Sequence, residues 1–230
     1  MLDCGMPLRE TERRLARLGL SAADLAGIVV THEHSDHMDG VLPFARRHGL
    51  KVWMTWGTLR AVDADALAEA QVTVIDSHEV FAVGDIEVRP YPVPHDAREP
   101  VQYVFSDGAQ CLGVLTDAGA STPHIESMLS GCDALVLECN HDEAMLAAGP
   151  YPVFLKERIG GPFGHLANRV AAQILAAIDC NRLKHLVAAH LSQRNNTPEL
   201  ARAALASVLN CSPEWIEVAD QHRGFAWRSL

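Results

Sequence analysis

Basic residues are scarce in this chain: 19 Lys and Arg against 29 Asp and Glu leave a formal net charge of −10. Proteins that grip nucleic acid along its backbone usually carry a basic surplus, so the balance argues against extensive phosphate contact. Bound cations or a local basic patch could reverse that where it counts. Long apolar runs are missing too. No stretch approaches the roughly 18 apolar residues of a membrane span, and no secretory signal pattern opens the sequence. The six cysteines form no CxxC pair and lie mostly in apolar runs. No metal-type cysteine pair is therefore present, and the expectation is buried, reduced thiols in a cytoplasmic protein with no membrane partner, Cys4 and Cys139 alone standing near a site edge. Repeats, low-complexity tracts and linkers are absent. What remains is 230 residues, 48% of them hydrophobic, enough for one domain spanning 1–230 with a full core.

Histidine is what the chain has. The segment Thr31-His32-Glu33-His34-Ser35-Asp36-His37-Met38-Asp39-Gly40 packs three histidines and the two carboxylates Glu33 and Asp36 into six positions. It follows the apolar run Gly27-Ile28-Val29-Val30, which reads as a short buried strand, so the cluster sits on the loop leaving that strand. Residues two apart in extended chain point the same way, so His32 and His34 can share a metal ion. Asp36 and His37 follow where the chain turns and can reach a second ion. Imidazole nitrogen and carboxylate oxygen suit zinc, manganese or iron.

Strand-like runs alternate with helical stretches from end to end. Helices are expected over 8–20, 41–48, 58–70, 123–129, from Asp142 onward, and over 167–178 and 198–209. Strands are expected over 27–31, 51–55, 72–75, 80–83, 86–93, 101–106, 111–116, 134–139, 186–189 and 215–219. Asp107-Gly108 is a strong hairpin turn. The order, βαβα, then antiparallel β, then βαβα, suggests an α/β fold of two mixed sheets face to face with helices outside. Further ionisable residues stand at or after predicted strand ends, where loops carry function: His95 after Tyr91-Pro-Val-Pro94, Asp117 after Leu112-Gly-Val-Leu-Thr116, and His190 after Leu186-Val-Ala-Ala189. His165, in Gly160-Gly-Pro-Phe-Gly-His-Leu-Ala-Asn168, just precedes a helix.

The pattern H-x-H-x-D-H, a lone His, an Asp after a strand and a C-terminal His resembles the metallo-β-lactamase superfamily over nearly the whole chain. Within it the chain is most similar to the YycJ (WalJ) subgroup of double-stranded DNA exonucleases. That similarity is carried by Leu2-Asp-Cys-Gly5, Leu8-Arg-Glu-Thr-Glu-Arg-Arg-Leu15, Glu138-Cys-Asn-His-Asp142, Gly149-Pro-Tyr-Pro152, Leu155-Lys-Glu-Arg158 and Gly164-His-Leu-Ala-Asn168. The resemblance implies an αββα sandwich and two divalent metal ions (Zn, Mn or Fe). His32, His34 and His95 would hold the first, Asp36, His37 and His190 the second, and Asp117 would bridge them. It further implies that a hydroxide held by the ions and hydrogen-bonded to Asp36 attacks phosphorus, with His165 as a non-ligand catalytic residue that binds the phosphate or protonates the leaving oxygen. Asn140 and His141 fall near the same site. One departure stands out: the family's Gly- and Ser-rich opening segment, source of its first strands, has no counterpart before Met1-Leu2-Asp3, so the first strands are expected to be missing.

DNA is thus the expected substrate, degraded from the 5′ end. A rival is a small-molecule hydrolase of the same fold: a cyclic phosphodiesterase, lactonase, thioesterase or β-lactamase-like enzyme. The acidic charge favours it, while the His165 segment favours phosphate chemistry. A silent binding module would show lost ligand positions, and none is lost. Lys156, Arg158, Arg169 and Arg194 either rim the site as phosphate binders or are ordinary solvated charges.

Overall fold

The computed structural model describes residues 1–67 and 70–230, which divide into two compact units: Met1–Pro92 with Ala97–Val101, and Val93–Asp96 with Gln102–Leu230.

The first unit runs α1 (Leu8–Arg17), β1 (Gly27–Val29), α2 (Ser35–Met38), α3 (Val41–His48), β2 (Lys51–Thr55), α4 (Trp56–Ala61), α5 (Ala64–Leu67), β3 (Gln71–Ile75), β4 (Phe81–Val83) and β5 (Ile86–Pro92). Strands β1, β2 and β3 pair in parallel in that order, with Ile28 opposite Val52 and Val52 opposite Val72. Parallel neighbours need crossovers, and the short helices supply them. All three residues of β1 are buried, which explains why it reads as an unbroken apolar run rather than an alternating one. Ile28, Val30, Val41, Phe44, Val52 and Met54 are all 0% exposed and form the centre of one core. Each such side chain contributes roughly 1.5–3 kcal/mol by leaving water. The chain start docks on β1: Val29 N–H donates to Met1 O and Asp3 N–H to Val29 O, both at 2.9 Å.

The expected helix 58–70 is two helices. Val62 is extended, and Asp63 Oδ1 accepts from Asp65 N–H at 3.0 Å, so a local Asp bond restarts the helix. Ala68 and Glu69 lie outside the described residues. Helix α1 likewise stops before 20, at a cap on Leu18.

The second unit contains β6 (Val101–Ser106), β7 (Cys111–Leu115), α6 (Pro123–Leu129), β8 (Ala134–Glu138), α7 (Glu143–Ala148), α8 (Val153–Ile159), α9 (Asn168–Ala177), β9 (His185–Ala189), α10 (Pro198–Leu209) and β10 (Glu217–Val218). Its strands lie in the order β10-β9-β8-β7-β6. The β6–β7 hairpin turns at Asp107-Gly108 as expected: Asp107 Oδ1 accepts from Ala109 and Gln110 N–H at 2.9 and 2.8 Å. Strands β7 to β10 are parallel to one another. The helical stretch after Asp142 is interrupted between α7 and α8, where Pro150 and Pro152 break it. The last strand is shorter than expected, because a 3₁₀ turn occupies Pro213–Trp215.

Register decides where chemistry can sit. Leu115 pairs with Leu137, and Glu138 with Ala189, so the C-terminal ends of β7, β8 and β9 are level. In parallel sheets ligands bind beyond those ends, and Asp117, Glu138 and His190 stand there. Among the described residues no helix is long and apolar enough to cross a membrane.

Candidate metal centre

In the first unit the loop after β1 gathers its imidazoles as the spacing predicts. The rings of His32 and His34 lie 4.5 Å apart, and those of His32 and His37 4.2 Å apart. His37 Nε2 is 3.6 Å from Asp36 Oδ2. His32 is fully buried, whereas the Asp36 side chain, early in α2, is 66% exposed. Asp3 fixes this loop from below. Its Oδ1 accepts from Thr31 N–H at 2.7 Å, and its Oδ2 accepts from Thr31 Oγ1–H and lies 2.8 Å from His37 Nδ1. Thr31 Oγ1 in turn lies 2.9 Å from His32 Nδ1. Asp3 holds φ 51°, a left-handed conformation uncommon for a non-glycine residue. The approach is close: a Cβ on Gly5 would stand 1.8 Å from the carbonyl oxygen of Asp36.

In the second unit a single carboxylate organises the rest. Glu138, fully buried at the end of β8, has Oε1 2.9 Å from both His165 Nδ1 and His190 Nδ1. Its Oε2 accepts from Ala118 and Leu166 N–H at 3.0 and 3.1 Å. Asp117 Oδ1 stands 3.9 Å from His95 Nε2, 3.4 Å from His165 Nδ1 and 3.6 Å from His190 Nδ1. His95 Nδ1 meets Gly164 O at 3.0 Å. Asp117 and His190 both adopt positive φ, 49° and 56°. Such strain persists where the surroundings over-determine it, often at functional sites.

Electrostatics follow from burial and these bonds. Burial holds His95 below the usual histidine value, with the Asp117 charge opposing, and this favours the neutral imidazole that binds metals. Burial would push Glu138 up, but the hydrogen bonds from His165 and His190 outweigh it and keep the carboxylate ionised. For His165 burial pulls down, yet the bond and charge of Glu138, with Asp117, carry the net shift upward.

These bonds test whether the donor set suits a metal. A metal-binding histidine commonly gives its second ring nitrogen to a carboxylate, carbonyl or other oxygen, which fixes tautomer and orientation. Here His32, His37, His95 and His190 each have Nδ1 against a protein oxygen, which leaves Nε2 as the donor atom that faces elsewhere. With Asp36 and Asp117 as carboxylates, the residues fit divalent cations.

Two contributors went unassigned in the sequence: Asp3 and Glu138. Glu138 carried the signal used for Asp117 and His190, an ionisable residue closing an apolar strand. Asn140 and His141 lie beside it, Asn140 Nδ2 donating to His190 O at 3.1 Å. The four basic residues weighed as a phosphate rim each meet a group on the protein. Arg158 is paired with Asp96 at 2.7 Å, Arg169 with Glu143, Lys156 Nζ with Ala147 O, and Arg194 sits over Tyr151.

Comparisons with known proteins complete the picture. A family model described as the beta-lactamase superfamily domain matches residues 1–191. Exodeoxyribonuclease YycJ of Bacillus anthracis is 36% identical over 212 residues, 91% of this chain and 80% of that protein. Exodeoxyribonuclease WalJ of Streptococcus pneumoniae is 30% identical over 213 residues, 91% and 79% of the two chains. Among solved structures, the metallo-beta-lactamase fold protein YhfI from Bacillus subtilis aligns with a TM-score of 0.72 and 16% identity, covering 98% of this chain and 85% of that one. Zn(2+)-bound PqqB from Methylobacterium extorquens aligns at 0.71 and 20%, covering 97% and 81%. At these identities the structural likeness is one of fold.

Proposed function

The chain belongs to the metallo-β-lactamase superfamily, in the family of YycJ and WalJ, and we propose that it is a metal-dependent exonuclease of double-stranded DNA, working from the 5′ end. The observation that carries metal dependence is the anchoring of four candidate ligand imidazoles through Nδ1. DNA as substrate is supported by kinship with two proteins named exodeoxyribonucleases. As the family resemblance implies, His32, His34 and His95 would hold one divalent ion and Asp36, His37 and His190 a second, with Asp117 available to both. Zinc, manganese and iron all suit this donor set. The reading of the cysteines as reduced thiols supports a cytoplasmic setting.

Two such ions, when bound, acidify water toward neutral pH and neutralise charge on the phosphoryl oxygens. The protein's part is proton handling and orientation. Asp36 accepts a hydrogen bond from the attacking water and aligns it with phosphorus. His165, held at Nδ1 by Glu138, presents Nε2 to the scissile phosphate and delivers a proton to the departing oxygen. Glu138 orients His165 and His190 together. Asp3 does the same for His37 and, through Thr31, for His32.

A second reading, hydrolysis of a small substrate, is favoured by the net charge of −10 and by the pairing of Arg158 and Arg169 with carboxylates. The substrate on which activity returns after chelation and metal replacement separates the two. The nuclease reading expects DNA hydrolysis to vanish with EDTA and return with manganese or zinc. Return of hydrolysis on a small aryl phosphodiester but never on DNA contradicts it.

A further inference from the structure

We propose that His141 is a second substrate-binding histidine, whose Nε2–H donates to a non-bridging oxygen of the scissile phosphate beside His165. This rests on the phosphodiester part of the nuclease reading and adds a contact to it. His141 is 2% exposed, and its Nδ1 is buried without a hydrogen-bond partner among the described residues. The neighbouring histidines differ: His95, His165 and His190 each have Nδ1 against a protein oxygen. Buried polar atoms are nearly always paired, and an exception calls for an explanation such as a catalytic role. The ring lines a cavity of about 720 Å³ that His165 also lines, a volume within the roughly 300–1,000 Å³ of ligand pockets. Nε2 lies at that wall, 3.8 Å from where a Cβ on Gly160, another wall residue, would stand. Backbone pairing fixes the ring's place. His141 bridges to Ala167 and its carbonyl accepts from Asn168 N–H at 2.9 Å, while Asn140 N–H donates to Leu166 O at 3.0 Å. The segment that carries His165 is thus held against the one that carries His141.

The state of the ring decides what it can hold. Burial keeps His141 below the usual histidine value, with the Glu138 charge opposing, so near pH 7 the ring is neutral and offers one donor and one acceptor. A hydrogen on Nδ1 would be sealed in the interior with nothing to accept it, at the cost of an unmet donor. On Nε2 it faces the cavity. The group to be held is therefore an acceptor. Glu143 in the same wall is already taken by Arg169, at 2.9 and 3.0 Å. A phosphodiester suits the open donor, because it offers acceptor oxygens alone and stands at His165 in the proposed reaction.

The test is kcat/KM of the metal-loaded protein on duplex DNA and on a small aryl phosphodiester, with metal content and melting temperature measured for each variant. His141→Leu should lose about 10–100-fold on both substrates, the worth of a hydrogen bond to a charged group, with metal content unchanged. Its melting temperature should hold or rise, because an unpaired nitrogen leaves the interior. His141→Gln, which keeps an N–H near the place of Nε2, should recover most of the loss. In Gly160→Ala the new Cβ meets nothing closer than 3.4 Å, so the fold should accept it. The methyl group crowds Nε2, however, and should lower kcat/KM on both substrates. Unchanged kcat/KM in His141→Leu overturns the proposal. So does a loss that Gln does not recover and that comes with a lower melting temperature, which marks a packing role. Loss of bound metal overturns it as well, and so does a loss on DNA alone, which places the contact away from the scissile phosphate. A parent chain that cleaves the aryl phosphodiester but not DNA removes the nuclease reading, and the His141 contact is then judged on the small substrate. One that cleaves neither overturns both.

Discussion

Glu138 Oε1 and His190 Nδ1 meet at 2.9 Å, where the level ends of β8 and β9 stand side by side. The same oxygen holds His165, so one buried carboxylate orients a candidate metal ligand and a candidate proton donor at once.

Replacing Glu138 by Gln keeps the volume but puts an amide N–H₂ where an acceptor is needed. It should lower metal occupancy or activity by about 10–100-fold, the usual effect of losing an orienting partner. Elemental analysis and turnover of the purified variant check this. Full occupancy and unchanged turnover would remove the orienting role.

Asp3→Asn should act on the other unit in the same way, because Asp3 Oδ2 meets both His37 Nδ1 and Thr31 Oγ1. Metal affinity should fall about 10–100-fold, while Thr31→Ala, which spares the His37 contact, should cost less. Competition with a chromogenic chelator ranks the two.

What the sequence made legible and what it hid divide along physical lines. The candidate donors stood out because imidazoles two residues apart after an apolar run have few uses but a metal, and because ionisable residues closing apolar strands repeat the signal at Asp117 and His190. The strand order and the Asp107-Gly108 turn were readable from period and turn chemistry. Asp3 and Glu138 were hidden, since a carboxylate that orients a histidine has no spacing rule: Asp3 serves His37 from 34 positions away and Glu138 serves His190 from 52. The break at Val62 was hidden because Asp63 caps through a local bond that apolar periodicity does not register.

Gly5→Ala should destabilise the loop around Asp36, because the new Cβ would stand 1.8 Å from a backbone oxygen. Overpacking of this kind costs about 1–3 kcal/mol. Denaturant titration reads the change. An unaltered midpoint would mean that the Met1–Gly5 segment moves away freely.

Acid sensitivity should map to Asp133, which is 2% exposed. The Cys111 N–H bond, then Arg182 and Lys184, hold its carboxyl below the usual value. A depressed folded-state pKa contributes stability above the unfolded value of about 3.9 and loses it as pH falls through the folded one. Asp133→Asn should therefore be less stable than the parent at pH 7, with the gap closing below pH ~4. A gap independent of pH would rule out the charge as its source.

The central claim, a metal-dependent exonuclease, is tested most directly by digesting a 5′-phosphorylated, end-labelled duplex with manganese beside the Asp36→Ala variant. Stepwise release of nucleotides from the 5′ end by the parent chain, and none by the variant, is the predicted result. An intact duplex in both lanes, with two ions bound and a small phosphodiester still cleaved by the parent, would contradict it.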